Sequence, residues 1–311
     1  MKKTTQQQCR TDTGYLLSHY DLLAEYAAEL SQLQETCAQH LSTLPPRLQR
    51  VGEILLQRYA EHRQGIEWIQ PLILSTAWSL PKASRQKIAV ANALTAMHAY
   101  IHREATDDIS QYNGDLLPLG SLLYTHTLHQ YQQLFVPTSR FWSLLEGYYL
   151  EWAEAVLWER QRQWGLVKRY SQEDTLRQAG VRALLKISGA AIALLTGNQQ
   201  HITPLSSALD QTHVAFQLVD GLINWREDMR AQRATYFLTE VALTLKAREM
   251  TNLDQLNLEK LLVNSTAPCR VIKRAMKHLL AAKKVAARLN APALATCLDK
   301  FYSICQETPC Q

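Results

Sequence analysis

Apolar residues recur at three- and four-residue spacing along almost the whole chain, as at Leu16, Leu17, Tyr20, Leu23, Ala24 and Ala27, and no sustained alternation interrupts them. That pattern puts an apolar stripe on each successive helix and defines no half-buried strand, so the expected fold class is all-α. Eleven glycines and ten prolines in 311 residues leave little punctuation for a many-stranded sheet with its turns. Breaks fall at Leu44-Pro45-Pro46, Gln70-Pro71, Leu80-Pro81, Asn113-Gly114, Val136-Pro137, Gly197-Asn198, Thr203-Pro204, Ala267-Pro268 and Asn290-Ala291-Pro292, which predicts about eleven helices joined by short loops. Thr138 or Ser139 is the expected N-cap of the run that opens with Phe141, and Ser171 precedes a first turn made acidic by Glu173 and Asp174. No linker-like tract and no fixed-period repeat separates the halves, so one helical domain is expected over residues 1–311.

With 47% hydrophobic residues the chain can bury a large core. Its 33 basic and 28 acidic residues leave a net charge of +5, too mild an excess to indicate nucleic acid, and no basic run carries interleaved aromatics. Nucleic acid is therefore not an expected partner. Cysteines at 9, 37, 269, 297, 305 and 310 form no CxxC pair and no His/Cys metal spacing, so reduced thiols in a cytoplasm are expected. The N-terminus is charged without an apolar h-region, and no window reaches the roughly 18 uncharged apolar residues of a spanning helix. The expectation is a cytoplasmic protein with no signal peptide and no stable membrane anchor.

One face of this helical chain carries oxygen where its neighbours carry hydrocarbon. Asp220, Asn224 and Asp228 stand at i, i+4 and i+8, which stacks them along one stripe of a helix. Glu227, at i+7 from Asp220, is expected on the same side, while Phe216, Leu218, Val219, Leu222 and Ile223 fill the rest of the run. Carboxylate and amide oxygens suit a hard cation such as Mg²⁺, which is held by one or two carboxylates with water and substrate phosphates. A second acidic group, Asp107 and Asp108 with Gln111, closes a helical run that begins near Ser84. Carboxylates at a helix C-terminus oppose the macrodipole unless a cation compensates. Facing each other across a bundle, the two groups would hold divalent ions and a polyanion, for which a diphosphate is the natural candidate. Lys186, Arg230 and Arg233 are candidates for the fixed positive charge such a site needs. Lys186 lies in an otherwise apolar helix and reads either as snorkelling or as aimed into a polar cavity.

Other constellations carry less. His98 and His102 are four apart but lack the glutamate of a His-Glu-x-x-His site, so they and His126, His129 and His213 read as core or surface residues. A Gly-x-Ser-x-Gly elbow and a P-loop are absent. Basic residues after about 240, Arg274 among them, read as solvated faces of the last helices.

The segment from Arg182 to Tyr236 resembles the C-terminal half of the class I isoprenoid synthase superfamily, which includes trans-prenyltransferases, squalene and phytoene synthases and class I terpene cyclases. Phe216-Gln217-Leu218-Val219-Asp220 is similar to its pattern of Phe-Gln, two apolar residues and an acid. Asp220, Asn224 and Asp228 resemble the metal triad of terpene cyclases, and Glu227-Asp228 with Arg233 and Tyr236 is similar to the squalene and phytoene synthase ending. Asp107-Asp108 stands at the place of the first aspartate-rich motif, so the resemblance covers roughly residues 85–240.

The resemblance implies a single-domain bundle around a central apolar cavity, and homodimers are common in the superfamily. It implies a cluster of Mg²⁺ ions held by Asp107, Asp108, Gln111, Asp220, Asn224, Glu227 and Asp228. A prenyl diphosphate would be gripped by Lys186, Gln217, Arg230, Arg233 and Tyr236, with Phe216 beside it. Trp142, Tyr148, Tyr149, Trp152, Trp158 and Phe216, with Trp68 and Trp78, are aromatic candidates for sheltering a carbocation. Both acidic motifs depart from the chain-elongating prenyltransferases, with Gln111 in place of a third aspartate and Gly221 and Asn224 in place of two others. The basic regions with which those enzymes hold isopentenyl diphosphate are not evident, so chain elongation is disfavoured. The expected activity is that of a terpene synthase: Mg²⁺-dependent ionisation of an allylic prenyl diphosphate, then cyclisation or rearrangement of the cation. Its catalytic set would be Asp107, Asp108, Asp220, Asn224 and Asp228. Head-to-head prenyl coupling and a non-catalytic helical protein that binds a prenyl diphosphate are the alternatives.

Overall fold

The computed structural model describes residues 25–62, 66–107, 114–162, 167–245 and 266–307, and among these every regular element is helical. In chain order they are α1 (Ala27–Ser42), α2 (Pro46–His62), α3 (Ile66–Ser75), α4 (Lys82–Asp107), α5 (Leu116–Gln132), α6 (Phe141–Gln161), α7 (Gln172–Ala179), α8 (Lys186–Leu195), α9 (Ile202–Ile223), α10 (Trp225–Arg230), α11 (Tyr236–Thr244), α12 (Ala267–Arg288) and α13 (Pro292–Glu307). A 3₁₀ segment, Gly180–Leu185, joins α7 to α8.

Burial explains which helices are central. α8 is buried from Lys186 to Ala193, and α9 buries residues on all sides between Thr212 and Val219. Helices apolar all round belong inside, whereas α12 buries one stripe, through Val271, Ala275, Leu279, Ala282 and Ala286, and leaves Lys273, Lys277 and Lys284 to solvent. α9 packs against α12, which packs in turn on α13; α4 packs on α5 and α3, and α6 lies along the 3₁₀ segment. Each fully buried Leu or Ile of this core contributes about 1.5–3 kcal/mol. The run Gln172–Leu195, apolar and long enough to cross a membrane, lies mostly inside this core. Cys37, Cys269, Cys297 and Cys305 are free thiols.

Local chemistry sets the boundaries. Ser171 and Asp174 form a reciprocal capping box at the start of α7. Ser139 accepts from the Phe141 N–H at 3.2 Å, but the N-cap of α6 is Arg140, one residue later than expected, and it makes no side-chain capping bond. The expected break at Pro71 does not occur: α3 runs through the proline, which lies inside the helix and forgoes the one backbone bond that its missing N–H would have made. Gly180 lets the 3₁₀ segment approach α6, since a Cβ there would stand 2.8 Å from that of Ala155. That close approach brings Arg182 and Lys186 against α6 and α9.

Three helices end in the same turn. After α8, α10 and α12, the residue one past the cap is left-handed, at Gly197 (φ 72°), Gln232 (φ 53°) and Asn290 (φ 52°). In each case its N–H and the next return to carbonyls of the last turn, as with Gln232 N to Met229 O at 3.1 Å and Arg233 N to Asp228 O at 2.8 Å. This is the Schellman arrangement.

Candidate functional site

The expected acidic stripe spans a helix end. α9 stops at Ile223, and Asn224, at φ −93° and ψ 17°, links it to α10. Asparagine competes for local backbone bonds and favours such cap positions, so the single helix expected over 220–228 is two. The i→i+4 ladder nevertheless survives: Asn224 N bonds Asp220 O at 2.8 Å, and Asp228 N bonds Asn224 O at 3.0 Å. Side chains follow, with the Asn224 amide donating to Asp220 Oδ1 at 2.9 Å. Of the two acids in α10, Glu227 is exposed while Asp228 is buried.

Asp228 accepts from Arg233 Nε at 2.9 Å, with side chains 6% and 23% exposed respectively. Gly221, which stands where a second aspartate was missing, lies against Thr235, so the loop that carries Arg233 folds back onto the end of α9. Thr235 in turn caps α11 by accepting from Leu238 N.

Deeper along α9, Asp210, His213, Gln217, Asp220 and Asn224 continue one polar stripe at three- and four-residue spacing. Lys186, 3% exposed, reaches into it and donates to both carboxylate oxygens of Glu151 on α6 at 2.6 Å and to Asp210 at 2.8 Å. Burial opposes its charge, but Asp210 and Glu151 outweigh that and hold the ammonium pKa above its ordinary value. Lys186 is therefore a clamp across α6, α8 and α9, and its charge is already met by two carboxylates. Arg182 donates to Gln217 Oε1 at 3.2 Å. Between them His213 is fully enclosed, and neither ring nitrogen has a partner among the described residues. Burial, with the Arg182 and Lys186 charges, pushes its pKa well below the usual imidazole value.

Other candidates are dispersed. Tyr236 accepts from Arg274 at 3.2 Å with the guanidinium 4.9 Å over its ring, so Arg274, expected on a solvated face, is part-buried beside a candidate site residue. Arg230 is exposed. Phe216 is buried and stacks on Phe301 of α13 with ring centroids 4.4 Å apart. Of the first acidic group, Asp107 ends α4, while Asp108 and Gln111 lie outside the described residues. Before that end, His98 and His102 meet Tyr149 and Trp152 of α6 and Tyr124 of α5 in one aromatic cluster. His98 Nδ1 lies 2.8 Å from the Gly120 carbonyl and so carries the proton. Trp158 packs on Tyr170, Trp142 bonds the Val136 carbonyl, and Trp78 stacks on His201.

Sequence reasoning missed Glu151 and Asp210. Glu151 is one of four glutamates in α6, with Glu146, Glu154 and Glu159, so nothing local singled it out. The hard oxygens of Asp220, Asn224 and Asp228 fit Mg²⁺: the Asn224 amide hydrogen goes to Asp220, leaving the Asn224 carbonyl oxygen as the group to meet a cation. No three His, Cys, Asp or Glu ligands converge among the described residues.

No protein family matches the chain by sequence, and no curated protein does. Solved structures do match. A polyprenyl synthase from Roseobacter denitrificans superposes with a TM-score of 0.71 at 16% identity, over 91% of this chain and 97% of that one. A decaprenyl diphosphate synthase from Rhodobacter capsulatus gives 0.69 at 14% identity, over 93% and 98%. A polyprenyl synthase from Caulobacter crescentus, complexed with calcium and isoprenyl diphosphate, gives 0.67 at 16% identity, over 91% and 96%. The polar stripe of α9 and α10 is thus carried on the all-α fold of the class I isoprenoid synthases.

Proposed function

We propose that the chain is a Mg²⁺-dependent prenyltransferase, which ionises an allylic prenyl diphosphate and joins the resulting prenyl cation to a second prenyl diphosphate. The observation that carries this reading is the Asp220, Asn224, Asp228 stripe, on a fold shared with solved polyprenyl synthases, one of them complexed with calcium and isoprenyl diphosphate. Those likenesses favour transfer over the cyclisation that the residue pattern alone suggested.

Mg²⁺, when bound, would neutralise the charge that develops on the departing diphosphate. Asp220, Asn224 and Asp228 would hold it on one side, with Asp107 and Asp108 as the proposed opposite side. Arg233 binds the diphosphate, its planar fork matching phosphate oxygens in pairs. The cluster of Tyr124, Tyr149 and Trp152 shelters the cation with ring faces and keeps water away. Lys186 fixes the three helices that frame the site.

Cyclisation of a single substrate is the second reading, favoured by the i, i+4, i+8 spacing of Asp220, Asn224 and Asp228, which resembles the terpene cyclase triad with Asn224 in place of a serine or threonine. The test offers geranyl, farnesyl and geranylgeranyl diphosphates, each alone and with isopentenyl diphosphate, with and without Mg²⁺, and follows diphosphate release and product carbon count. Prenyl transfer predicts a product larger than any single substrate, whereas a hydrocarbon of one substrate's carbon count means cyclisation. Asp220→Ala is expected to lower diphosphate release by about 100-fold; undiminished release in that variant would remove the stripe from the mechanism.

A further inference from the structure

We infer that Arg233 is an internal counter-ion, which holds Asp228 in the ligand-free protein and gives it up only when a diphosphate-class anion takes the guanidinium. Cation and anion binding are then mutually dependent. This rests on the reading of the stripe as a metal and diphosphate site.

Two independent bonds tie the same pair of residues. Arg233 Nε meets Asp228 Oδ1 at 2.9 Å, and Arg233 N meets Asp228 O at 2.8 Å through the turn that ends α10. An ionised carboxylate as enclosed as that of Asp228 needs a counter-charge, and Arg233 supplies it. A metal ion and a guanidinium compete for the same oxygen, so Asp228 cannot serve a cation fully while Arg233 holds Oδ1. A diphosphate offers Arg233 a bidentate acceptor, which compensates it for leaving. The turn between the two residues is held by Gln232 at φ 53°, a left-handed conformation unfavourable for a side chain of this length. Strain there opposes the paired state and eases the exchange.

The experiment measures Mn²⁺ affinity of the intact chain by calorimetry, with and without inorganic pyrophosphate. In the unaltered protein pyrophosphate tightens Mn²⁺ binding. Arg233→Gln is expected to bind Mn²⁺ alone on the order of tenfold more tightly than the unaltered protein, a change equal to about 1.4 kcal/mol, and to lose most of the pyrophosphate effect. Arg233→Lys restores part of that effect. Linkage requires the reciprocal result, so Asp228→Asn should bind pyrophosphate more tightly in the absence of metal. This second variant tests the exchange even where Arg233→Gln does not fold. A folded Arg233→Gln that binds Mn²⁺ alone no more tightly than the unaltered protein overturns the exchange and leaves the site reading standing. No Mn²⁺ binding by the unaltered protein even with pyrophosphate overturns both.

Discussion

The turns that end α10 and α12 use the same pair of backbone hydrogen bonds but place different residues at their tightest point. At the end of α12 that residue is Asn290, whose short side chain adopts the left-handed conformation readily. At the end of α10 it is Gln232, which gains no such relief. The α12 turn only redirects the chain into α13, whereas the α10 turn aims Arg233 back onto Asp228. A second contrast runs the same way: Lys186 is locked inside by two carboxylates, while Arg233 is held nearer the rim by Asp228 with a strained connection between them. Rigid pairing marks the framework of the site, and strained pairing marks the part that exchanges.

The sharpest way to break that contrast is to remove the interior cation. Lys186→Met leaves Glu151 and Asp210 facing each other without a partner, and we expect a loss of roughly 2–3 kcal/mol in thermal or denaturant unfolding. Full burial would cost more, but the two carboxylates are 40% and 30% exposed and water compensates part of the loss. Adding Glu151→Gln and Asp210→Asn to that variant should recover most of it. A Lys186→Met protein as stable as the original would mean that the clamp is not structural.

How much of this was legible in the chain depends on how local each cause is. The start of α7 was readable because Ser171 and Asp174 cap each other three residues apart. The Asp220 and Asn224 pairing was readable because the i→i+4 ladder persists through the helix end. Lys186 was seen as odd, but its partners lie 35 and 24 residues away and are chosen by how α6, α8 and α9 pack. Phe216 was read from a motif, whereas its stacking on Phe301 depends on a partner far along the chain that only the packing of α9 and α13 chooses.

The interior cluster should also be the acid-sensitive region. His213 is held neutral when folded, with its pKa pushed well below the ordinary value near 6.5. As pH falls below about 6.5 the unfolded chain takes up a proton that the native protein refuses, so stability drops by about 1.4 kcal/mol per pH unit for such a histidine. His98 and His278, both pushed down to about 4 chiefly by burial, act in the same sense until pH reaches that value. His213→Leu should flatten the fall between pH 6.5 and 5 by about 1.4 kcal/mol per unit, measured by denaturant midpoints at each pH. An unchanged slope would assign the acid sensitivity to the other histidines held down by burial, His40, His98, His102, His126 and His278.

The smallest effect expected is also the one that addresses the two turns directly. Glycine carries no steric penalty at positive φ, but it loses more conformational entropy on folding than the residue it replaces. At Asn290, where the native residue is already tolerant, these terms nearly cancel, and Asn290→Gly should change stability by a few tenths of a kcal/mol. At Gln232 the relieved strain exceeds the entropy, so Gln232→Gly should gain about 0.5–1 kcal/mol. Side-by-side thermal unfolding of the two variants isolates the difference, because the hydrogen bonds of the turns are alike. If the strain favours exchange, the same Gln232→Gly change should hold Arg233 on Asp228 more firmly and weaken Mn²⁺ binding in the absence of pyrophosphate. A variant that is stabilised without weaker Mn²⁺ binding would show that the strain in the α10 turn is not coupled to the ion pair it carries.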